Sequence, residues 1–577
     1  MGTNIAERLA SLVHAGFESY QAQFGLVTRR ARARFESRDW TGSQRDARER
    51  LGLYRQFSDW VVRELGRELA GREADAALWA EARPAFLELA QKRNDAELAL
   101  TFFNSSARRI LRSVGLDVAA HYTPDDFRRI PPERPDRAVR RYAGGVPLVL
   151  LLEQVLRDLP FACAFADLAN EARLAAEALA KGLPAGELES LELVPSPFYR
   201  NKGAYLVGRI AVAGQQVPVT IALVHPPEGV QVDAVLATAS EMSVVFSFTR
   251  SYFQVEPECP SALVGFLQQL MPHKPLDELY TAIGYHKHGK TLLYHTLMRH
   301  LEAPEARFEI AEGEPGLVMV VFALPSFNVV FKIIRDHFGA PKNTTRAAVI
   351  EKYKLVFGHD RVGRLADAHD FENLTFPRSR FSAELVAELQ KEAAGTVRFE
   401  GDRVTVRHVY SERRVIPLNL YLKTASPEQA REAIVGYGQA IKDLAAANIF
   451  TGDMLLKNFG VTRNERVIFY DYDELCLLTE CRFRDIPPPR DEADEMAAEP
   501  WFSVADGDVF PEEFRHYLVL PGALGEAFLA AHSDLLTVEY WRRMQQLALS
   551  GEMADVYPYR EERRIGTGRP SSVIGRP

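Results

Sequence analysis

The stretch TGDMLLKNFGVTRNERVIFYDYD, residues 451–473, says more about the fold than any other part of this chain. It places Asp453 and Asn458 in a polar loop, and an apolar strand follows that ends at Asp471 and Asp473. Phosphoryl transfer from ATP needs such a set, because a carboxylate must accept the proton of the attacking hydroxyl and oxygen ligands must bind Mg²⁺. The stretch therefore predicts Asp453 as the base and Asn458 and Asp471 as metal ligands.

Predicted strands upstream supply the other parts of such a site. The segment 307–338, RFEIAEGEPGLVMVVFALPSFNVVFKIIRDHF, alternates apolar runs with turns, which is typical of antiparallel strands. The turn EGEPG (312–316) can cover phosphates with its backbone N–H groups, and Lys332 in the third run can neutralise the α- and β-phosphates. Each piece alone is common in proteins. Their order and spacing together favour a kinase-like fold.

Two further residues are candidates by position. Lys457 precedes Asn458 and can reach a phosphate. Glu351 lies on the helix predicted over 343–360 and is a candidate ion-pair partner for Lys332. An exposed helix glutamate with no such role is an equally good interpretation of Glu351.

The loop departs from the usual protein-kinase pattern. It contains Thr451-Gly452-Asp453 in place of His-Arg-Asp, and no A-P-E motif follows. The missing arginine normally pairs with a phosphorylated activation loop, so we expect control to lie elsewhere. Asp473 replaces the usual glycine and adds a third acidic group, which we count among the metal ligands. The pattern indicates an atypical kinase.

The residue pattern of the rest of the chain indicates alternating helical and β regions. Helical periodicity dominates residues 1–190, short β-branched and aromatic runs follow to about 256, and helix returns over 261–302. Strands begin again near 306. We predict an α+β protein, with a mainly helical regulatory domain at 1–305 that carries a β insertion at about 190–256. An atypical bilobal kinase-like domain follows at 306–577, with a mobile polar tail from residue 560.

Composition agrees with a cytoplasmic protein that has no membrane span. The chain has 577 residues, enough for two to four domains, and its 47% apolar and 26% charged residues are typical of globular proteins. The net charge of −8 argues against nucleic-acid binding through a basic face. Four cysteines form no disulfide framework. The longest apolar run, 146–156, is too short to span a bilayer.

Several long strings resemble those of the bacterial isocitrate dehydrogenase kinase/phosphatase family. The resemblance covers most of the chain, and its strongest segments are 324–338, 359–367, 444–463 and 467–490. It implies a bifunctional enzyme that phosphorylates a serine of isocitrate dehydrogenase and removes that phosphate at the same site. It implies ATP, ADP in the phosphatase direction, Mg²⁺ and AMP as an allosteric effector. The expected role is control of flux between the citric acid cycle and the glyoxylate bypass.

The resemblance also assigns residues. It implies an active-site role for Asp367, which rests on the resemblance alone, and it agrees with Lys332 and Asp453. It implies contact between the substrate protein and the Pro-rich stretch 484–495. It further implies an ATP loop formed by Ala311, Glu312, Gly313, Glu314, Pro315, Gly316 and Leu317.

Three motifs of other enzyme classes also occur in the sequence, but each lacks the context that its class requires. The segment GYHKHGKT (284–291) matches the Walker A spacing, but a predicted helix precedes it where a P-loop needs a strand. Asp471-Tyr472-Asp473 is similar to the start of a haloacid-dehalogenase phosphatase, but it lies far along the chain. The pair Cys476 and Arg482 has the spacing of tyrosine phosphatases without their glycines. The nearby histidines are better explained as polar residues on a helix face, namely His286, His288, His295 and His300.

Three functions remain open from the residues alone. The first is a protein-serine kinase with phosphatase activity. The second is another atypical kinase or a small-molecule phosphotransferase, since Gly-Asp before x₄-Asn occurs there too. The third is a pseudokinase scaffold, against which the complete set Lys332, Asp453, Asn458 and Asp471 argues.

Overall fold

The computed structural model describes residues 4–69, 71, 75–113, 135–248, 251–313, 315–339, 342, 344–359, 361–489, 501–552 and 555–565. Two compact units form, one within Met1–Ser247, Ser251–Thr296 and Tyr559–Pro577, the other within Phe248–Arg250 and Leu297–Pro558. In the ranges described, every helix is too short or too polar to cross a membrane.

Helices dominate the chain as far as residue 300, with one sheet between them. The helices are α1 Ile5–Glu36, α2 Trp40–Leu69, α3 Ala76–Ala90, α4 Ala96–Ser113, α5 Leu148–Arg157, α6 Leu168–Ala180, α7 Ala239–Val245, α8 Pro260–Leu270, α9 Leu276–Ala282 and α10 His286–His300. The strands are β1 Arg140–Ala143, β2 Leu188–Leu193, β3 Phe198–Arg200, β4 Gly203–Val212, β5 Gln215–Val224 and β6 Gln231–Leu236.

The long helices α1 and α2 pack against each other because each has one apolar face. Phe17 and Val61 are fully buried between them. Gly16 permits the close approach, since a Cβ atom there would lie 2.2 Å from Cγ2 of Val61. The predicted helical character of this part of the chain is confirmed.

The predicted β insertion is an antiparallel sheet in the order β1-β2-β4-β5-β6, with β3 beside β4, and its strand β1 comes from the part of the chain that was predicted as helical. The run AVAGQQVPV (211–219) predicts a hairpin, which the β4–β5 turn confirms. Ala213 and Gly214 both have positive φ, 50° and 75°, which is the conformation that a tight two-residue hairpin turn requires.

The sequence predicts strands over 240–255 and in the run 396–422, and a part of each run is helical instead. Residues 240–245 (SEMSVV) lie in α7, because Thr238 caps that helix by accepting a hydrogen bond from the Glu241 amide. The helix buries Met242 and Val245, which lie three residues apart on one face. The end of the run 396–422 is the short helix Leu418–Tyr421, which follows Pro417 without a side-chain cap. Capping and burial outweighed β-propensity at 240–245.

The first part of the C-terminal tail is ordered, contrary to the expectation of a mobile segment. The Arg564 guanidinium donates to both carboxylate oxygens of the buried Asp233, at 2.8–3.2 Å. The Tyr559 hydroxyl donates to the same carboxylate at 2.5 Å, and the Ile565 amide donates to the Asp233 carbonyl at 2.7 Å. Residues 559–565 therefore pack onto β6.

We expect Arg564→Ala to release this segment. The change leaves the buried Asp233 carboxylate short of donors, which costs about 1–3 kcal/mol locally. Hydrogen exchange at the Ile565 amide should accelerate strongly. Arg563→Ala is the control, because Arg563 makes only a largely exposed pair with Glu241. Equal exchange in both variants would contradict the assignment.

The second unit has a sheet followed by a mainly helical part. Its strands are β7 Glu309–Ile310, β8 Met319–Leu324, β9 Phe327–Ile334, β10 Ala368–Pro377, β11 Val397–Glu400, β12 Arg403–Arg413, β13 Ile416–Pro417, β14 Ile449–Phe450, β15 Phe459–Val461, β16 Val467–Phe469, β17 Cys476–Leu477, β18 Arg482–Phe483 and β19 Asp508–Val509. Its helices are α11 Arg346–His359, α12 Ala383–Glu392, α13 Leu418–Tyr421, α14 Pro427–Ala446, α15 Arg515–Leu518, α16 Ala523–His532 and α17 Val538–Ser550.

The main sheet of this unit runs β10-β12-β9-β8-β7, with β11 paired to β12. The run SPEQAREAIVGYGQAIKDLAAANIF (426–450) predicts a long helix capped by Ser426, and α14 confirms it, with a capping box completed by Gln429. It buries Ile434, Tyr437 and Ile441 against the short strands that carry the polar loop. A sheet followed by helices, with the predicted loop after α14, is the arrangement expected of a kinase-like domain.

Candidate active site

Lys332 lies on β9 and forms an ion pair with Glu412 of β12. Its Nζ lies 2.8 Å from Oε2 of Glu412, and both side chains are almost completely buried. The register explains the contact. Lys332 stands opposite Tyr410, so Glu412, two residues further along β12, projects on the same face of the sheet. Lys332 Nζ also donates to the Tyr470 carbonyl at 2.7 Å.

Glu412 is held from a second side. The Tyr353 hydroxyl of α11 donates to Oε1 of Glu412 at 3.3 Å, and the Tyr353 ring stacks on Tyr410 at 3.6 Å between centroids. Burial raises the pKa of Glu412, while the charge of Lys332 opposes that rise. Lys332 is thereby fixed by a carboxylate, a carbonyl and the packing of α11.

The pairing of Glu351 with Lys332 is therefore wrong, and the alternative interpretation, an exposed helix glutamate, is confirmed. The Glu351 carboxylate is 68% exposed and pairs with Lys354 on the same helix, at 2.6 Å. A helix residue was a candidate because kinases commonly use one. Here α11 contributes Tyr353 instead, and a neighbouring strand contributes the glutamate.

The predicted phosphate turn lies between β7 and β8. Gly313 has φ +122°, which favours glycine, and open space surrounds the position of its absent Cβ atom. Arg335 anchors the end of the turn by donating from Nε to the Gly316 carbonyl at 3.0 Å, and it pairs with Glu388 of α12. Glu314 lies outside the described residues.

The polar loop 451–458, which carries the candidate base and is the candidate catalytic loop, is held by its own hydrogen bonds. Oδ1 of Asp453 accepts from the Leu455 amide at 3.0 Å, and the Asn458 side-chain amide donates to the Asp453 carbonyl at 3.3 Å. The Tyr470 amide donates to the Asn458 carbonyl at 3.1 Å. These bonds tie Asp453 and Asn458 to the segment that ends at Asp471.

The backbone at position 452 leaves no room for the arginine that protein kinases commonly have there. The φ of Gly452 is +71°, and a Cβ atom there would lie 2.6 Å from the Glu474 carbonyl oxygen. The loop and the segment after Asp473 approach so closely that only glycine fits.

We expect Gly452→Ala to abolish most of the activity, because the loop must move away from Glu474. The left-handed conformation alone should lower stability by about 1–2 kcal/mol. Gly401→Ala is a matched control. Gly401 has φ +60°, but its Cβ atom would meet no other atom within 4 Å. If both variants show the same loss of stability and retain activity, the close approach has no catalytic importance.

Asp471 and Asp473 share a buried acidic environment. Burial raises the pKa of both carboxyls, and the charge of Asp471 helps to raise the pKa of Asp473 to about 7. Lys332 and Lys342 oppose the shift in each case. The charge of Asp453 also acts on Asp471, so the loop aspartate and the strand-end aspartate lie in one electrostatic group.

Lys342 is a cation of this group that the sequence analysis missed. It pairs with Glu474 at 2.5 Å. No sequence pattern marks it, because it lies in a loop between β9 and α11. Its ion pair with Glu474, the residue after Asp473, places it beside the candidate site, and its positive charge opposes the rise in the pKa of Asp471 and Asp473.

Asp367 is brought to the same region by strand-like pairing. The Ala366 amide donates to the Phe469 carbonyl at 2.9 Å, and the Phe469 amide donates to the Arg364 carbonyl at 2.7 Å. Asp367 then precedes β10, whose first residue, Ala368, stands opposite Glu412. His369 Nε2 lies 3.6 Å from an Asp367 oxygen. Residues 364–369 therefore run between β16 and β12.

The predicted residues thus fall into three groups. Lys332, Asp367, Asp453, Asn458 and Asp471, with Asp473, lie on segments that contact one another. The second group is the turn between β7 and β8. Its Ala311 amide donates to the Val321 carbonyl and its Leu317 is exposed. Its other described members are Glu312, Gly313, Pro315 and Gly316. Lys457 is exposed beside Asn458, and the Tyr470 hydroxyl donates to its carbonyl. The stretch 484–495 is described only to residue 489.

The candidate metal ligands suit an Mg²⁺ ion that is bound partly by the protein and partly by the phosphates of the nucleotide. Throughout the described ranges, no group of three or more His, Cys, Asp or Glu side chains is arranged to hold a metal. Mg²⁺ commonly takes one or two carboxylates and completes its shell with water and substrate phosphates. The side chains of Asn458 and Asp471, with Asp473 nearby, fit that pattern.

The competing motifs are accounted for by the structure. Helix α9 precedes Gly284, and 286–291 lie inside α10, so the Walker-like segment follows no strand. Gly289 packs against α9, since a Cβ atom there would lie 2.4 Å from the Asp277 carbonyl oxygen. Strand β16 is antiparallel to β15, unlike the parallel core of a haloacid dehalogenase. Arg482 pairs with Asp508 at 3.0 Å and lies in no anion loop.

Comparison with known proteins agrees with this geometry. The family model described as the kinase domain of isocitrate dehydrogenase kinase/phosphatase (AceK) matches residues 306–561, and the model of its regulatory domain matches 10–305. A relative from Anaeromyxobacter sp. (strain Fw109-5), named isocitrate dehydrogenase kinase/phosphatase, is 48% identical over 98% of this chain and 99% of its own length. A relative of the same name from Xanthomonas campestris pv. campestris (strain 8004) is 43% identical over 96% of each chain.

Fold and site together define a kinase-like phosphotransferase preceded by a helical regulatory domain. The α+β class predicted from the sequence is confirmed. More narrowly, the chain belongs to the isocitrate dehydrogenase kinase/phosphatase family.

Proposed function

We propose that this chain phosphorylates a serine of isocitrate dehydrogenase with ATP and removes the same phosphate. The proposal rests on one observation. The Lys332–Glu412 pair, the loop that carries Asp453, and Asp471 lie together in one kinase-like unit. Membership of the family supplies the substrate, through the names of its relatives.

In the kinase direction, Asp453 accepts the proton of the serine hydroxyl. Its Oδ1 is already oriented by the Leu455 amide, so the carboxylate is held in place before the substrate arrives. Lys332 binds the α- and β-phosphates, and Glu412 holds its ammonium in position. The turn 311–317 covers the phosphates. Mg²⁺, held by Asn458, Asp471 and Asp473, would neutralise the negative charge that develops on the transferred group.

In the phosphatase direction, a carboxylate of the same acidic group orients water toward the phosphoserine. Asp367 and Asp453 are the proposed carboxylates, since both lie on segments that contact the strand end at Asp471. ADP is proposed to be required because the bound nucleotide helps to retain the metal among these acidic side chains.

Regulation is assigned to the first domain. We propose a regulatory domain at 1–305 that binds AMP, a catalytic domain at 306–577, and action in the cytoplasm together with the substrate enzyme. AMP should bind the full chain when the phosphate-binding lysine of the catalytic site is removed by Lys332→Met. Loss of AMP binding in that variant would place the AMP in the catalytic site instead.

The acceptor is tested by incubating the full chain with γ-labelled ATP, Mg²⁺, purified isocitrate dehydrogenase and a mixture of small-molecule alcohols. Label on a serine of the dehydrogenase is expected. Label only in the small-molecule fraction would favour a small-molecule phosphotransferase, and nucleotide binding without any transfer would favour a pseudokinase.

A further inference from the structure

Two thiols face each other close to the catalytic loop. Sγ of Cys476 lies 3.6 Å from Sγ of Cys481, and neither cysteine has a part in the proposed mechanism. Cys476 is half-buried and Cys481 is buried. A single 3-10 turn, Leu478–Glu480, separates them and returns the chain so that the two side chains meet.

The segment between the thiols is held firmly at both ends. The Leu478 amide donates to the Asn448 carbonyl at 3.1 Å, directly before β14. The Gln545 side chain of α17 donates to the carbonyls of both Leu478 and Cys481, at 2.8 and 2.7 Å. The proximity of the sulfurs is therefore built into the packing of this unit.

We propose that Cys476 and Cys481 form a reversible disulfide that switches off the catalytic loop. This inference goes beyond the proposed function, since it assigns a covalent modification site that transfer of phosphate does not need. The oxidant would be a small disulfide such as oxidised glutathione, or a peroxide. Disulfides that form transiently in reducing compartments commonly have sensing roles.

The chemistry requires one attacking and one resolving thiol. Cys476 is the more accessible sulfur, and the adjacent Cys481 S–H lowers the pKa of the Cys476 thiol against the opposing effect of burial. The Cys476 thiolate attacks one sulfur of the small disulfide and releases one thiolate. The Cys481 thiol then loses its proton, attacks the Cys476 sulfur of the mixed disulfide and releases the second thiolate. The protein loses two protons and two electrons, and the small disulfide takes them up and becomes two thiols.

We expect closure of this bond to pull on the backbone near the catalytic base. A disulfide has a sulfur–sulfur distance of about 2.05 Å, so the sulfurs must approach by about 1.5 Å. Cys476 stands opposite Phe450 in the β14–β17 pair, and the catalytic loop begins at the next residue, Thr451. A misplacement of about 1 Å near a reacting centre can cost about 10²-fold in rate.

The test uses the full-length Cys163→Ser/Cys259→Ser double variant, which retains only the proposed pair. After treatment with oxidised glutathione, we expect an intact mass lower by two hydrogen atoms and a disulfide-linked peptide containing Cys476 and Cys481. Hydrogen exchange over 451–458 should change, and phosphorylation of isocitrate dehydrogenase should fall by about 10²-fold. A reducing dithiol should restore both.

Adding Cys481→Ser should stop the reaction at a glutathione adduct on Cys476, and Cys476→Ser should prevent the internal disulfide; both variants should keep their activity under reducing conditions. The inference is overturned if the chain that retains both thiols accumulates a glutathione adduct on Cys476 without closure. It is also overturned if the disulfide forms and neither exchange over 451–458 nor the rate changes. A fully reduced chain that transfers no phosphate would count against the proposed function alone, because the mass and exchange measurements do not depend on activity.

Discussion

Asp453→Asn is expected to lower the rate of serine phosphorylation by at least about 10²-fold, because an amide cannot accept the hydroxyl proton. The asparagine retains an oxygen that can accept the Leu455 amide hydrogen bond, so the loop should keep its conformation. The loss should therefore appear in kcat, with the KM for ATP nearly unchanged. Single-turnover transfer of label from ATP measures this directly.

The control for this change is Asp506→Asn, the same substitution at an exposed residue of the same unit. It should leave the rate and the thermal stability unchanged, within about 0.5 kcal/mol. A wild-type rate in Asp453→Asn would remove Asp453 from the role of base.

Glu412→Gln is expected to have the second large effect. The change leaves the ammonium of Lys332 buried without a compensating charge, which typically costs about 3–5 kcal/mol. A displaced Lys332 should also reduce phosphoryl transfer by about 10²-fold. Thermal unfolding and steady-state kinetics with varied ATP measure the two consequences.

The matched control is Glu351→Gln, the same chemical change at the glutamate that was a candidate partner from the sequence. Because Glu351 is exposed, the variant should differ from the parent by no more than about 0.5 kcal/mol and keep its activity. A double-mutant cycle with Lys332→Met sharpens the test. If Glu412 acts through Lys332, adding Glu412→Gln to Lys332→Met should cost little further activity. Additive losses would refute that coupling.

Local signals predicted much of the fold. The cap at Ser426, the hairpin at 213–214 and the periodicity of the first helices depend on neighbouring residues, and all are confirmed. The strand predicted for residues 240–245 failed because β-branched residues there favoured a strand, while the Thr238 cap and the burial of Met242 and Val245 determined a helix. Tertiary burial decides such cases.

The sequence likewise predicted some residues of the candidate site and missed others. Asp453 and Asn458 are separated by a short loop, and their spacing was readable from the sequence. Glu412 and Lys342 were missed because their approach to Lys332 and Asp471 depends on strand register and on loop packing. Asp367 looked like an ordinary charged residue until the pairing of 364–366 with β16 placed it beside the strand end.

A pulse–chase experiment tests whether one acidic site both adds and removes the phosphate. Isocitrate dehydrogenase is first labelled by this chain with γ-labelled ATP and Mg²⁺, freed of ATP, and then given ADP with either the parent chain or a site variant. We expect labelled phosphoserine in the first step and labelled inorganic phosphate in the second, with both steps lost in Lys332→Met. Label that never reaches the dehydrogenase, or a second step that proceeds at the parent rate in Lys332→Met, would contradict a single shared site.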